Sequence, residues 1–160
     1  MIIRPACADD AEAIAAIHNA VIQDTLVTFT TELRTAASVA VDISNRQYLV
    51  AELNGQVIGF ATYGPFRGGP GYAHTREHSI HLTPDAQGQG IGRALMAALE
   101  DTARAEGVHV LVAGISSANP GAIAFHTALG FAEVGRMPEV GRKQGQWLDL
   151  VLMQKILSPQ

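Results

Sequence analysis

A chain of 160 residues fits one domain, and 48% hydrophobic with 16% charged residues describes a globular protein able to bury a core, so disorder is not indicated. A formal charge of -4 with both signs scattered leaves no basic stripe, which argues against nucleic acid or an anionic membrane surface as main partner and toward a small molecule. The single cysteine, Cys7, cannot close an internal disulfide and reads as a small buried or semi-buried residue; with no apolar leader and no run near the ~18 residues of a membrane span, the expectation is a soluble, unprocessed, cytoplasmic protein.

Ile2-Ile3-Arg4 is predicted as a short strand, and Asp9-Asp10 offers an N-cap to a helix carrying Ile14, Ile17 and Val21 on one face. His18 in that helix has no implied partner and is expected at the surface or half-buried. Between 24 and 46 two tendencies compete: Val27-Thr28-Phe29-Thr30 favours extension, while Ala36 to Ile43 permits a weak helix, and the boundary stays open. The runs 48–51 and 57–63 flank Asn54-Gly55, a strong hairpin signal, so two antiparallel strands follow. Four glycines and two prolines between Gly64 and Gly71 predict an exposed loop of the kind that often carries binding residues. His78 to Leu82 reads as a strand ending at Thr83-Pro84.

Gly88, Gly90 and Gly92 then stand at alternate positions, which permits a tight turn with uncovered N–H groups. Ile91, Leu95, Leu99 and Thr102 recur at helical spacing directly afterwards, with Gly107 as the stop. A helix N-terminus behind such a turn favours an anion, so a phosphorylated cofactor is the first hypothesis. Val108 to Ile115 is apolar on both faces, as a covered central strand should be. Asn119 and Pro120 supply the cap and first position of a helix over Ala122 to Leu129, closed by Gly130. Phe131 to Arg136 and a final strand from Trp147 to Ile156 complete one domain over residues 1–160.

The glycines do not form a dinucleotide fingerprint, since they are spaced G-x-G-x-G and Arg93 occupies the third glycine's slot; nor do they form a nucleotide-hydrolase loop, since no Lys-Ser/Thr follows. His74-Thr75-Arg76-Glu77-His78 matches a zinc-protease pattern that requires a helix. In the strand expected here, residues four apart are separated by about 13 Å, too far to share one metal ion, and no metal is expected.

The remaining constellation resembles a known family. Gln87 to Gly92 fits the Q/R-x-x-G-x-G/A signature of the GNAT superfamily of N-acetyltransferases, and Asn119 to Phe131 resembles that superfamily's second cofactor segment. Gly141-Arg142-Lys143-Gln144-Gly145-Gln146-Trp147-Leu148-Asp149 and Thr75-Arg76-Glu77-His78-Ser79 are similar to the G-x-K-x-G-x-W-x-D and T-x-E-x-S segments of the phosphinothricin and methionine sulfoximine acetyltransferase branch. The sequence departs from the branch at 30–46, which is alanine-rich, and at Tyr72-Ala73 and Arg76, where relatives tend to carry an aromatic-arginine pair and a valine.

The resemblance implies an α/β fold, a mixed and largely antiparallel sheet flanked by helices, with acetyl-CoA as cosubstrate, a small-molecule amine acceptor and a homodimer. It implies that Glu77 is the general base and that His126 meets the departing thiolate, packing with Ala122 and Leu129 being the plainer role for that histidine. Backbone of Ile80, His81 and Leu82 would hold the pantetheine arm, with the Leu82 N–H facing the thioester oxygen. Gly88, Gln89, Gly90, Ile91, Gly92 and Arg93 would hold the pyrophosphate, and Asn119 would bind nearby.

A short amino acid also needs an apolar wall and a cation for its carboxylate, for which Phe29, Phe66, Arg67, Tyr72, Arg76 and Lys143 are the residues to inspect. His78 and His81, three apart on a strand, should face opposite ways in structural roles, and Trp147 should pack the sheet. The implied reaction is acetylation of the α-amino group of a small amino acid or analogue, of the phosphinothricin, methionine sulfoximine or methionine sulfone type. A non-catalytic acyl-CoA-binding module, or an enzyme for protein N-termini or polyamines, stays open.

Overall fold

Asn54 and Gly55 have φ of 52° and 77°, the left-handed pair that a two-residue hairpin turn requires. This turn joins β2 (Tyr48–Leu53) to β3 (Gln56–Pro65), and β1 (Ile2–Pro5) pairs with the far side of β2. The chain continues through β4 (Thr75–Leu82), β5 (Val110–Ser116), β6 (Ala132–Lys143) and β7 (Gln146–Ile156). The computed structural model describes residues 1–157, and the last three residues of the expected 1–160 domain lie outside the described part.

The strands form one seven-stranded sheet in the order β1-β2-β3-β4-β5-β7-β6. Every neighbouring pair is antiparallel except β4 and β5, so the expected mixed, largely antiparallel sheet is what the chain forms. The parallel pairing of β4 and β5 covers only Thr75/Val110 to His78/Ala113, leaving Ser79 to Leu82 without a partner on that side. A cleft opens through the sheet where the two strands part.

Period-two alternation sorts the core. Tyr48, Val50 and Phe60 pack with α1 (Ala11–Asp24) and α2 (Ala36–Asn45) on one face, whereas Leu49, Ala51, Ala61 and Tyr63 pack on the other face with α3 (Ile91–Ala105). α3 buries Ile91, Leu95, Met96, Leu99 and Ala103 along one stripe, and Gly107, with φ of 78°, ends the segment as expected. α4 (Pro120–Ala128) begins where Asn119 accepts the Ala122 N–H at 3.2 Å.

Several expectations are corrected. The boundary left open between 24 and 46 is settled at Thr35, which caps α2 by accepting the Ser38 N–H, while Thr25 turns the chain by donating to the Val21 carbonyl at 2.6 Å and accepting the Val27 N–H at 3.2 Å. Asp10 stands at the head of α1, but Arg4 takes its carboxylate at 2.8 and 2.9 Å, and Asp10 also accepts the Cys7 N–H at 2.8 Å. Cys7 itself is exposed, because it sits in the turn leading into α1 rather than under it. β6 is longer than expected, since register shifts after Glu133 and Met137 let a strand continue past Pro138. Trp147 is 60% exposed instead of packed in the sheet, with the Arg142 guanidinium 4.3 Å above its ring.

Candidate active site

The parting of β4 and β5 produces a cleft of about 1000 Å³ with two unlike walls. Alternation along β4 sends Glu77, Ser79 and His81 toward α1, and His78, Ile80 and Leu82 toward α3 and α4. On the α3 side the lining includes Gly88, Gly90, Gly92, Arg93, Asn119 and His126. On the α1 side stand His18, Val21, Val27, Phe29, Glu77 and Leu150.

The α3 wall is an anion cradle made of backbone. Gly88 and Gly90 have φ of 76° and 80°, and a Cβ built on either would meet nothing within 4 Å, so the turn faces open space. The first helical bond recorded at this end runs from the Ala94 N–H to the Gly90 carbonyl at 3.1 Å, and the N–H groups before it are the orphan donors of a helix start. Arg93 is exposed beside them and has no ion-pair partner among the described residues. Such a set fits a pyrophosphate. Gly92 makes a different contribution: its missing Cβ would lie 3.2 Å from the Phe125 ring, so α3 and α4 can approach closely here. Ile91 is buried in the core and can offer only its N–H, and the Gln89 amide donates to the Asp85 carbonyl at 2.7 Å.

Glu77 opens onto the other wall. Glu77 is exposed to the cleft, partial desolvation by the surrounding walls raises its carboxyl pKa, and among the described residues no ion pair or hydrogen bond opposes that shift. Opposite it stands Gly114, whose Cβ would lie 3.0 Å from a Glu77 carboxylate oxygen and 3.4 Å from Leu150. Only glycine leaves that carboxylate its present place. Gly114 was not singled out in the sequence, although a glycine inside the apolar run 108–115 is the kind of signal that marks a close approach. His18 also belongs to this wall, stacked on His81 with ring centroids 5.0 Å apart, and burial pushes the His81 pKa down to about 4.

Phe29 reaches the cleft because Gly141 makes room for it: a Cβ there would lie 2.7 Å from the Phe29 ring. The loop before it is held by Lys143, whose ammonium is buried and donates to the Thr28 carbonyl at 2.9 Å and hydroxyl at 3.1 Å; burial lowers its pKa. Lys143 therefore braces the α1 wall and is not among the residues lining the cleft.

The remaining residues proposed for the acceptor also lie elsewhere. Arg76 follows the alternation to the face of Tyr63, opposite to its neighbour Glu77. Phe66, Arg67 and Tyr72 gather on the loop after β3, with the Arg67 guanidinium 5.2 Å from the Tyr72 ring and the two aromatic centroids 6.3 Å apart. Among the described residues, the α1 wall carries no lysine or arginine.

His126 is buried at the cleft's edge, with Phe125 and Phe131 edge-on to its ring. Its Nδ1 lies 2.8 Å from the Ala122 carbonyl and its Nε2 lies 2.9 Å from the Nε2 of His78. Burial lowers the pKa of both histidines, so both are neutral at pH 7. The zinc-protease pattern is dispersed: His74 bonds the Gly107 carbonyl at 2.9 Å, while Glu77 and His78 face opposite sides of β4.

The model of the acetyltransferase (GNAT) family matches residues 14–131. An L-amino acid N-acyltransferase of Escherichia coli, MnaT, is 43% identical over 159 residues, spanning 96% of this chain and 92% of its own. An L-methionine sulfoximine/L-methionine sulfone acetyltransferase of Salmonella typhimurium is 42% identical, with 96% and 93% of the two chains covered. A structure of yncA from Salmonella typhimurium, described with its cofactor acetyl-CoA, superposes with a TM-score of 0.95 at 38% identity over all of this chain and 95% of its own. The parted strands, the glycine turn ahead of α3 and these likenesses agree: the chain belongs to the GNAT family of acetyltransferases.

Proposed function

We propose that the protein transfers the acetyl group of acetyl-CoA to the α-amino group of a small amino acid or analogue, with methionine sulfoximine, methionine sulfone and phosphinothricin as the acceptor class. The observation that carries this is the cleft between β4 and β5, with a backbone anion cradle on one wall and the Glu77 carboxylate on the other. Acetyl-CoA brings an activated thioester together with a pyrophosphate. The chain's own residues hold the two partners and move protons.

Gly88 to Arg93 and Asn119 hold the anionic end of the cosubstrate, and the unpaired edge of Ile80, His81 and Leu82 receives its arm. An amine attacks only when neutral; roughly a tenth of an α-amino group with pKa near 7.7–8.0 is neutral at pH 7, against well under a thousandth of a lysine side chain. Glu77 accepts the ammonium proton of the acceptor, directly or through water, and its raised pKa makes it a stronger base at working pH. His126 lies on the opposite face of the sheet from Glu77, and because its one proton is bonded to the Ala122 carbonyl, coenzyme A leaves as the thiolate and takes its proton from solvent. Phe29, with Val21, Val27 and Leu150, forms the apolar wall for the acceptor side chain. The resemblance to the branch further supports a cytoplasmic homodimer, checked by sedimentation of the purified protein.

The test is an amine library with acetyl-CoA, followed by free thiol release. Turnover with amino acids or their sulfoximine, sulfone or phosphinic analogues is expected. Acetyl-CoA binding without turnover on any amine would instead favour a binding module, and turnover confined to peptides or polyamines would move the acceptor class.

A further inference from the structure

His78 and His126 form a buried pair whose proton positions follow from the partners. A carbonyl only accepts, so the Nδ1 of His126, 2.8 Å from the Ala122 carbonyl, carries a proton. A neutral imidazole has one N–H, so the Nε2 of His126 is a bare lone pair. The Nε2 of His78, 2.9 Å away, must then be the donor, and the Nδ1 of His78 is left as a buried lone pair with no partner among the described residues. This arrangement is consistent at all four nitrogens.

We propose that His78 is a positioning residue for the transfer reaction: its Nε2–H holds His126 in the Nδ1–H tautomer, uncharged, on the cofactor side of the cleft. A donor bonded to the lone pair opposes protonation there. For His126 to gain a proton at Nε2, His78 must give up its own N–H···N bond and carry its proton at Nδ1, where no acceptor stands among the described residues. The group facing His78 across β3 is Tyr63, whose hydroxyl is taken by Glu106; from β5 it is Ala113, and Phe131 packs on both rings. Among the described residues no charged side chain acts on either imidazole, so the pair governs its own charge.

The inference rests on the reading of His126 as a residue at the thioester side of the cleft, but its first test does not. Long-range proton–nitrogen NMR correlations of the imidazoles at pH 7 should show His126 protonated at Nδ1 and bare at Nε2, with His78 protonated at Nε2. His126 protonated at Nε2 would overturn the proposal. In His78→Leu the titration of His126 should move to higher pH and kcat should fall roughly three- to tenfold, the scale of one lost hydrogen bond, with KM for acetyl-CoA nearly unchanged. His78→Gln keeps an N–H donor and should restore most of that loss. If His78→Leu folds and leaves both the His126 titration and kcat as they were, the positioning role is wrong. Correct tautomers in a protein that acetylates nothing would sink the functional reading alone.

Discussion

The two walls of the cleft are built on different principles. The α3 wall consists of backbone, in which two glycines with positive φ and the first turn of one helix present N–H groups to an anion within a few residues of chain. The α1 wall consists of side chains brought from five places: His18 and Val21 on α1, Phe29 on the loop after it, Glu77 on β4, Gly114 on β5 and Leu150 on β7. A wall of backbone accepts many changes of side chain while keeping one ligand, whereas a wall of side chains can be retuned residue by residue. The cofactor should therefore be set by the first and the acceptor by the second.

The sharpest way to break this division is Glu77→Gln. It keeps the shape of the wall and removes the base, so kcat should drop about 10²- to 10⁴-fold, roughly 3–5 kcal/mol of barrier, with acetyl-CoA binding intact in a calorimetric titration. An unchanged kcat would remove Glu77 from the mechanism. Gly114→Ala comes next. A methyl 3.0 Å from the Glu77 carboxylate must displace it by a few tenths of an ångström, and a loss of about tenfold in kcat is expected in steady-state kinetics, again without a change in acetyl-CoA affinity.

Gly90→Val probes the opposite wall. A β-branched residue at φ of 80° costs on the order of 1–2 kcal/mol, so KM for acetyl-CoA should rise roughly tenfold while KM for the acceptor stays within a factor of two. The smallest effect belongs to Lys143→Met, which frees the loop carrying Phe29: acceptor KM should rise a few-fold and the melting temperature fall by several degrees, from a loss of about 1–3 kcal/mol. A change in acetyl-CoA KM in this variant would show that the walls are coupled.

The same division decided what could be read from the sequence. The glycine turn, the stripe of α3, the Asn54-Gly55 hairpin and the Asn119 cap are each written in fewer than about twenty consecutive residues, and each formed where expected. The acceptor wall depends on contacts such as Lys143 to Thr28, which lie 115 positions apart, and no local pattern announces them. Arg76 is a different case. Once Glu77 is placed toward the acceptor, alternation along a strand already sends Arg76 the other way. His78 is the converse: its face was legible, but its partnership with His126 required the packing of α4 against β4.

The central claim is that the Glu77 carboxylate, with its raised pKa, collects the acceptor's proton, and the pH dependence of kcat/KM for the acceptor at saturating acetyl-CoA, which reports the acceptor-free site, tests it most directly. A group with a raised carboxyl pKa is protonated, and useless as a base, until the pH climbs past that value. The wild-type protein should therefore lose activity on acidification at a higher pH than an unperturbed glutamate would give, and the residual activity of Glu77→Gln should lack that limb. The same acidic limb in both proteins would contradict the account.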